Sequence, residues 1–369
     1  MKRLNKVFLI ILILITSFTI VGCNKSNKEE DNELKYSDDL FPNKSTEFSL
    51  SLAKLSLNFI MGNTKEETKQ NFENENLEVL MQKNYEKDLD DPNHTNAYTI
   101  GKKTINNNGI SQELIVVALN ESMNGDWLSN FDFAPSHNDE TKFSENFLYC
   151  ALDVYTNVYP LINDNTLVLV TGYSRGGACA NLLGMLLNAS FKANNNLYVY
   201  TFASPRTVRK EYYTGKNYYN IFNIINESDI STQIPFEELG YSRLGYDIIL
   251  NNKQMTQTNE ELIDILNPLC PSISSYYLDR HAITSSGISD DGLTMYEIAV
   301  MLLSTLNSKE ESSLSNILDL INILSEDSDL FPLYSECVKL YSNGSFKKMG
   351  NEHNLNQYKT LLENYKIGE

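Results

Sequence analysis

Apolar positions recur along this chain with two different periods, and the alternation between them predicts its architecture. Phe48, Leu52, Leu55 and Phe59 fall at helical spacing, from a start near Ser45 to a stop at Gly62. Residues 98–105 and 114–118 read as strands, with Asn106-Asn107-Asn108-Gly109 as the turn between them. Phe147, Ala151, Val154, Tyr155 and Val158 form a second helical stripe. Leu167-Val168-Leu169-Val170 is apolar on both faces, which suits a central strand of a parallel sheet covered by helices. A helical pattern over 176–187 follows, then strands at 197–202 and 219–225. Strands alternating with helices predict an α/β fold. From Leu293 onward the pattern turns helical: Met295, Ile298, Ala299, Leu302 and Leu306 share a face, and further helical stretches lie near 313–324, 331–342 and 355–366.

The first residues carry a different signal. Lys2, Arg3 and Lys6 precede an unbroken apolar run over 7–15, too short for a bilayer span of about 20 residues. The run closes on Ile20-Val21-Gly22-Cys23, which looks like a bacterial lipobox, so Cys23 is the expected lipidation site; an uncleaved anchor is the alternative. The expected organisation is a signal peptide over 1–22, a polar tether over 23–42, an α/β domain over 43–290 and a helical C-terminal region over 291–369 packed on it. The expected location is the extracytoplasmic side of the cell membrane. With 48 acidic against 30 basic residues the net charge is −18, and loss of residues 1–22 removes three basic residues and takes it to −21. Such a charge argues against nucleic acid as a partner and against a basic patch as the membrane anchor. Four histidines and five cysteines, none in a CxxC pair, argue against a His-rich metal site and a disulfide framework. Cys150 and Cys179 lie among apolar neighbours in helical patterns and are expected as buried free thiols.

The apolar strand at 167–170 runs into Thr171-Gly172-Tyr173-Ser174-Arg175-Gly176-Gly177. Gly172-x-Ser174-x-Gly176 fits a nucleophile elbow, in which a serine stands at a sharp strand-to-helix turn. Strand and helix approach so closely there that a side chain two residues to either side would collide, hence the glycines. The alternative is a glycine-rich turn that only packs helix on strand.

Several motifs together resemble the class 3 lipases, an α/β-hydrolase family. They are Tyr98-Thr99-Ile100-Gly101, Asp126-Trp127-Leu128-Ser129-Asn130-Phe131, GYSRGGACANLL (172–183), YTFASPR (200–206) and NIFNIINESDISTQIP (220–235), in the family's order over 98 to about 281. The resemblance implies an α/β-hydrolase-like, mostly parallel sheet flanked by helices. It also implies a Ser–Asp–His triad in that chain order, and a reaction needing no metal or organic cofactor. Asp229, in NESD just past a strand, matches the family's acid; Glu227 is the alternative on position alone. Two histidines follow Ser174. His281, one segment after the acid motif and beside Ala282-Ile283, is the expected base, whereas His353, in the polar string Gly350-Asn351-Glu352-His353-Asn354, is expected to be a solvated surface residue. His94 and His137 precede the serine and are expected in loops.

Ester cleavage places negative charge on the carbonyl oxygen, and the backbone N–H of Arg175 is the expected first donor to it. The family's second donor follows an earlier strand at a motif like FRGT or FRGS. Here that stretch reads Leu119-Asn120-Glu121-Ser122, which departs at Asn120 and Glu121 and leaves the Ser122 hydroxyl as the expected donor. The elbow departs at Tyr173 and Arg175, where many relatives have His and Leu; neither side chain is needed for the elbow itself. Asp126, Trp127 and Asn130 are expected to be structural, with Phe131 and Phe133 in an anchored loop rather than a mobile lid.

The resemblance therefore implies a surface-anchored serine hydrolase acting on carboxylic esters of lipids. Within enzymes, phospholipase, short-chain esterase, thioesterase and acyltransferase chemistry stay open, because specificity resides in the pocket. A lipoprotein that uses the scaffold for binding alone is the alternative of a different class.

Overall fold

A computed structural model of the chain describes residues 40–62, 64–86, 89, 95–107, 109–120, 145–190, 196–209, 218–233, 241–250 and 352–366. All lie in one compact unit, Lys35–Glu369.

Among the described residues the expected strands and helices are present, while the helical stretches expected over 293–342 lie outside them. Helices α1 (Leu50–Ile60) and α2 (Lys65–Asn74) precede strand β1 (Glu78–Lys83) and the hairpin β2 (Tyr98–Asn107) and β3 (Ile110–Leu119). Helix α3 (Glu145–Val158), strand β4 (Thr166–Tyr173), helix α4 (Arg175–Ser190) and strand β5 (Leu197–Phe202) follow. Then come β6 (Val208–Arg209), β7 (Ile221–Asn226), β8 (Tyr241–Ser242), β9 (Tyr246–Leu250) and α5 (Leu355–Asn364). Helix α1 starts at Leu50 rather than near Ser45, because the Ser49 hydroxyl caps it by accepting from the Leu52 N–H at 3.1 Å.

Among the described residues one sheet has seven strands in the order β1-β2-β3-β4-β5-β7-β9. The first three are antiparallel, and the strands from β3 to β9 are parallel. This is the mostly parallel, helix-flanked sheet expected of the α/β class. Its two edge strands escaped the pattern. β1 and β9 are largely half-buried or exposed, so neither shows a continuous apolar run.

The sheet is covered on both faces. Leu167 and Leu169 of β4 join a core with Leu52, Leu55, Phe59, Tyr200, Phe222, Tyr358 and Leu362, which places α1 and α5 over one face. α3 and α4 pack together, and α4 lies against β4 and β5, where Gly184 brings it close to Val199 and Ile221. Each fully buried aliphatic or aromatic side chain in this core contributes roughly 1.5–3 kcal/mol. Buried polar groups are used as well. The Ser49 N–H donates to the Tyr200 hydroxyl at 3.1 Å, and the Thr171 hydroxyl donates to the Ser56 carbonyl at 3.2 Å. The parallel register aligns Leu119, Gly172 and Thr201 across β3, β4 and β5. The carboxyl ends of these strands therefore form one rim, where open α/β sheets place their sites.

Candidate active site

Ser174 stands between β4 and α4 with φ of +53°, a left-handed conformation that costs a non-glycine residue roughly 1–3 kcal/mol. Two backbone bonds hold it there. Its N–H donates to the Phe202 carbonyl at 2.9 Å, and its carbonyl accepts from the Ala178 N–H at 3.0 Å. The glycines are required by contact. A Cβ on Gly172 would stand 2.2 Å from the Gly176 carbonyl oxygen, and one on Gly176 would stand 2.3 Å from the Leu119 oxygen. Because both obstacles are backbone, Gly176→Ala should destabilise the fold by about 2 kcal/mol or more. A lowered denaturant midpoint at unchanged slope checks this; an unchanged midpoint would mean that the elbow is looser than its packing implies.

The Ser174 hydroxyl is 2.9 Å from Nε2 of His353, and Nδ1 of the same ring is 2.7 Å from Oδ2 of Asp229. Asp229 is fully buried, and His353 and Ser174 are nearly so. The carboxylate is held from three sides. Its Oδ1 accepts from the Ser231 N–H at 3.0 Å, and its Oδ2 accepts from the Tyr358 hydroxyl at 2.8 Å as well as from the imidazole. Its backbone N–H donates to the Asn226 carbonyl at 3.0 Å, which fixes the turn after β7. Burial above all, and then the charge of Asp229, push the Tyr358 phenol well above its ordinary pKa, so it remains a donor to the carboxylate. Glu227, the alternative acid, is exposed.

The expectation for His353 needs correction. His353, expected to be solvated, is buried against both Ser174 and Asp229, while His281 lies outside the described residues. The polar string around His353 misled because Glu352 and His353 are buried against partners, although Asn354 is exposed. Asn226 donates from Nδ2 to the Glu352 carbonyl and carboxylate at 2.9 and 3.0 Å. The side chain of Asn354 caps α5 by accepting from the Asn356 N–H at 2.9 Å. The available signal was this cap followed by Leu355, Tyr358 and Leu362: a buried helical face beginning directly after the histidine. The site thus draws its imidazole from the stretch expected to be an accessory helical region.

Tyr173 and Arg175 also do more than fill the elbow. The Tyr173 hydroxyl donates to the His353 carbonyl, and the two rings lie 5.2 Å apart. The Arg175 side chain is buried and reaches the Cys150 sulfur at 3.4 Å; Cys150 and Cys179 are buried free thiols. Burial, with the neighbouring Cys150, holds the Cys179 thiol well above its ordinary pKa.

The Arg175 backbone N–H opens α4 immediately after the serine, as an oxyanion donor must. Ser122 and Glu121 lie outside the described residues, as do Asp126, Trp127, Asn130, Phe131, Phe133, His94, His137 and Cys23. Asn120 is buried and fully engaged. Its N–H donates to Ala97 at 2.8 Å, and its Nδ2 to Gly62 at 2.7 Å. Its Oδ1 accepts from the Tyr85 hydroxyl at 3.0 Å, and its carbonyl from Asn96 Nδ2. This residue fixes the end of β3 beside the first turn of α4, where the Leu119 and Asn120 carbonyls flank Gly176.

Residues 121–239 match the lipase (class 3) family, so the family resemblance holds for that segment. The solved structures similar to this chain include three lipases. The native Rhizomucor miehei lipase propeptide complex is 18% identical, covering 63% of this chain and 79% of its own, with a TM-score of 0.39. The lipase from Rhizopus microsporus var. chinensis is 17% identical over 63% of this chain and 84% of its own, with a TM-score of 0.37. A triacylglycerol lipase described as having a serine protease triad as its catalytic centre is 19% identical over 63% and 84%, also with a TM-score of 0.37. No curated protein shows a significant match.

Proposed function

We propose that this chain, which matches the class 3 lipases over residues 121–239, is a serine hydrolase that cleaves carboxylic esters of lipids. The unbroken hydrogen-bond chain Ser174–His353–Asp229 carries the reading. Ser174 Oγ attacks the acyl carbonyl carbon as His353 Nε2 takes its proton. Asp229 holds the Nδ1–H tautomer and stabilises the imidazolium. The tetrahedral oxyanion is met by the Arg175 N–H and by the Ser122 hydroxyl. Collapse breaks the ester C–O bond, and His353 returns its proton to the departing alcohol. Water, activated by the same imidazole, then attacks the acyl-enzyme and releases the acid.

Lipid esters as substrate are supported by the family match; head-group and chain-length preference is read by hydrolysis rates over an ester series with the purified protein. Appreciable rates on esters that Ser174→Ala abolishes support the reading, and the absence of any ester hydrolysis by the wild type sinks it. If the Ser122 hydroxyl is the second oxyanion donor, Ser122→Ala lowers kcat by about 10²–10³-fold; unchanged kinetics would remove it from the mechanism.

The same proposal places the enzyme on the outer side of the cell membrane, held by acyl chains on Cys23. The string Ile20-Val21-Gly22-Cys23 after a short apolar run supports this, as does a charge of −21 without residues 1–22, which offers anionic lipid no attraction. Cys23→Ser should move the activity from the membrane fraction to the soluble fraction; activity that stays with the membrane argues for another anchor.

A further inference from the structure

Five hydrogen bonds converge on Asn226, the last residue of β7, which is fully buried. Two belong to the loop that carries the acid. Its Oδ1 accepts from the Ser228 N–H at 3.1 Å, and its carbonyl accepts from the Asp229 N–H at 3.0 Å. The other three belong to the segment that carries the base. Its Nδ2 donates to the Glu352 carbonyl at 2.9 Å and to Glu352 Oε2 at 3.0 Å, and its N–H donates to the Tyr358 hydroxyl at 3.2 Å. Tyr358 closes the circuit by donating to Asp229 Oδ2 at 2.8 Å.

We infer that Asn226 is a positioning residue, one that aligns the imidazole of His353 with the carboxylate of Asp229 by tying both carriers to the end of β7. Asp229 and His353 are 124 positions apart in the chain, so no local turn fixes their distance. The ring must meet Ser174 at 2.9 Å and Asp229 at 2.7 Å at once. Both contacts depend on where the backbone of 352–353 sits. The acid loop is set by its own bonds to Asn226, and the side-chain amide then references Glu352, one residue before the histidine, to the same point. A displacement of about 1 Å in such an arrangement costs on the order of 10²-fold in rate. The inference rests on the reading of Ser174 and His353 as nucleophile and base.

Asn226→Asp separates the two halves of this junction. It keeps an acceptor for the Ser228 N–H and both backbone bonds, but turns an oxygen toward the Glu352 carbonyl and carboxylate where a donor stood. With a p-nitrophenyl ester, kcat should fall about 10²-fold while KM stays within about threefold, as expected for lost alignment rather than lost binding. A downfield proton resonance from the hydrogen-bonded His353 Nδ1–H is expected in the wild type and should be lost in the variant. Adding Glu352→Gln to Asn226→Asp restores a donor across the junction and should recover kcat by about tenfold. A folded Asn226→Asp protein with wild-type kcat and an intact resonance overturns the inference, and so does a folded double variant that recovers nothing. Should Asn226→Asp fail to fold by circular dichroism, Glu352→Ala cuts the carboxylate link alone. A kcat about tenfold lower at constant KM is then expected, and an unchanged kcat overturns the inference. If the wild type neither hydrolyses the ester nor reacts with a fluorophosphonate, the hydrolase reading fails by itself, and the imidazole resonance still decides whether Asn226 aligns the pair.

Discussion

Replacing Ser174 by alanine should lower ester turnover on the order of 10⁵–10⁶-fold, with the fold intact. The size follows from the site. The hydroxyl oxygen is the only heavy atom removed, and it sits 2.9 Å from the imidazole that activates it. A methyl group at that position keeps the backbone turn but leaves no oxygen to form the acyl-enzyme. The residual rate would come from substrate binding and the oxyanion donors alone. The left-handed φ of +53° and the bonds to Phe202 and Ala178 do not involve the hydroxyl, so the thermal midpoint should hardly move. Steady-state kinetics on a soluble ester, paired with a melt, check both halves. A loss below about tenfold would mean that another residue is the nucleophile.

His353→Ala should be as damaging, again on the order of 10⁵–10⁶-fold, whereas His281→Ala should leave turnover within about threefold of wild type. Without the imidazole no other described side chain is bonded to the serine hydroxyl to take its proton, and the Asp229 carboxylate keeps its bonds from Ser231 and Tyr358. The paired variants discriminate sharply, because the two histidines are opposite choices on sequence grounds. If His281→Ala were the inactive protein and His353→Ala the active one, the Ser174–His353–Asp229 arrangement would not be the working one.

The sheet was readable from the chain because β3, β4, β5 and β7 are short apolar runs separated by helical stripes, a pattern with one physical solution. The elbow was readable for a stronger reason. Gly172 and Gly176 are dictated by backbone atoms 2.2 and 2.3 Å from where their Cβ atoms would be, so the glycines record the turn directly. Edge strands β1 and β9 left no such mark, since their half-exposed positions accept polar residues. His353 was misread as solvated because polarity was equated with exposure. Glu352, His353 and Asn354 are polar and near one another, yet each has a partner in the folded chain. Glu352 receives Asn226, His353 meets Ser174 and Asp229, and Asn354 caps α5. Asn226 and Tyr358 carry no sequence signature of their roles. Each acts through contacts across more than a hundred positions, and only the fold reveals them.

The central claim is that Ser174 is a nucleophile activated by His353, and its most direct test is covalent labelling with a fluorophosphonate followed by peptide mapping. One adduct on Ser174 is expected in the wild type and in His281→Ala, and none in Ser174→Ala or His353→Ala. An adduct that persists in His353→Ala at the wild-type rate, or one that maps to a different serine, would contradict the claim.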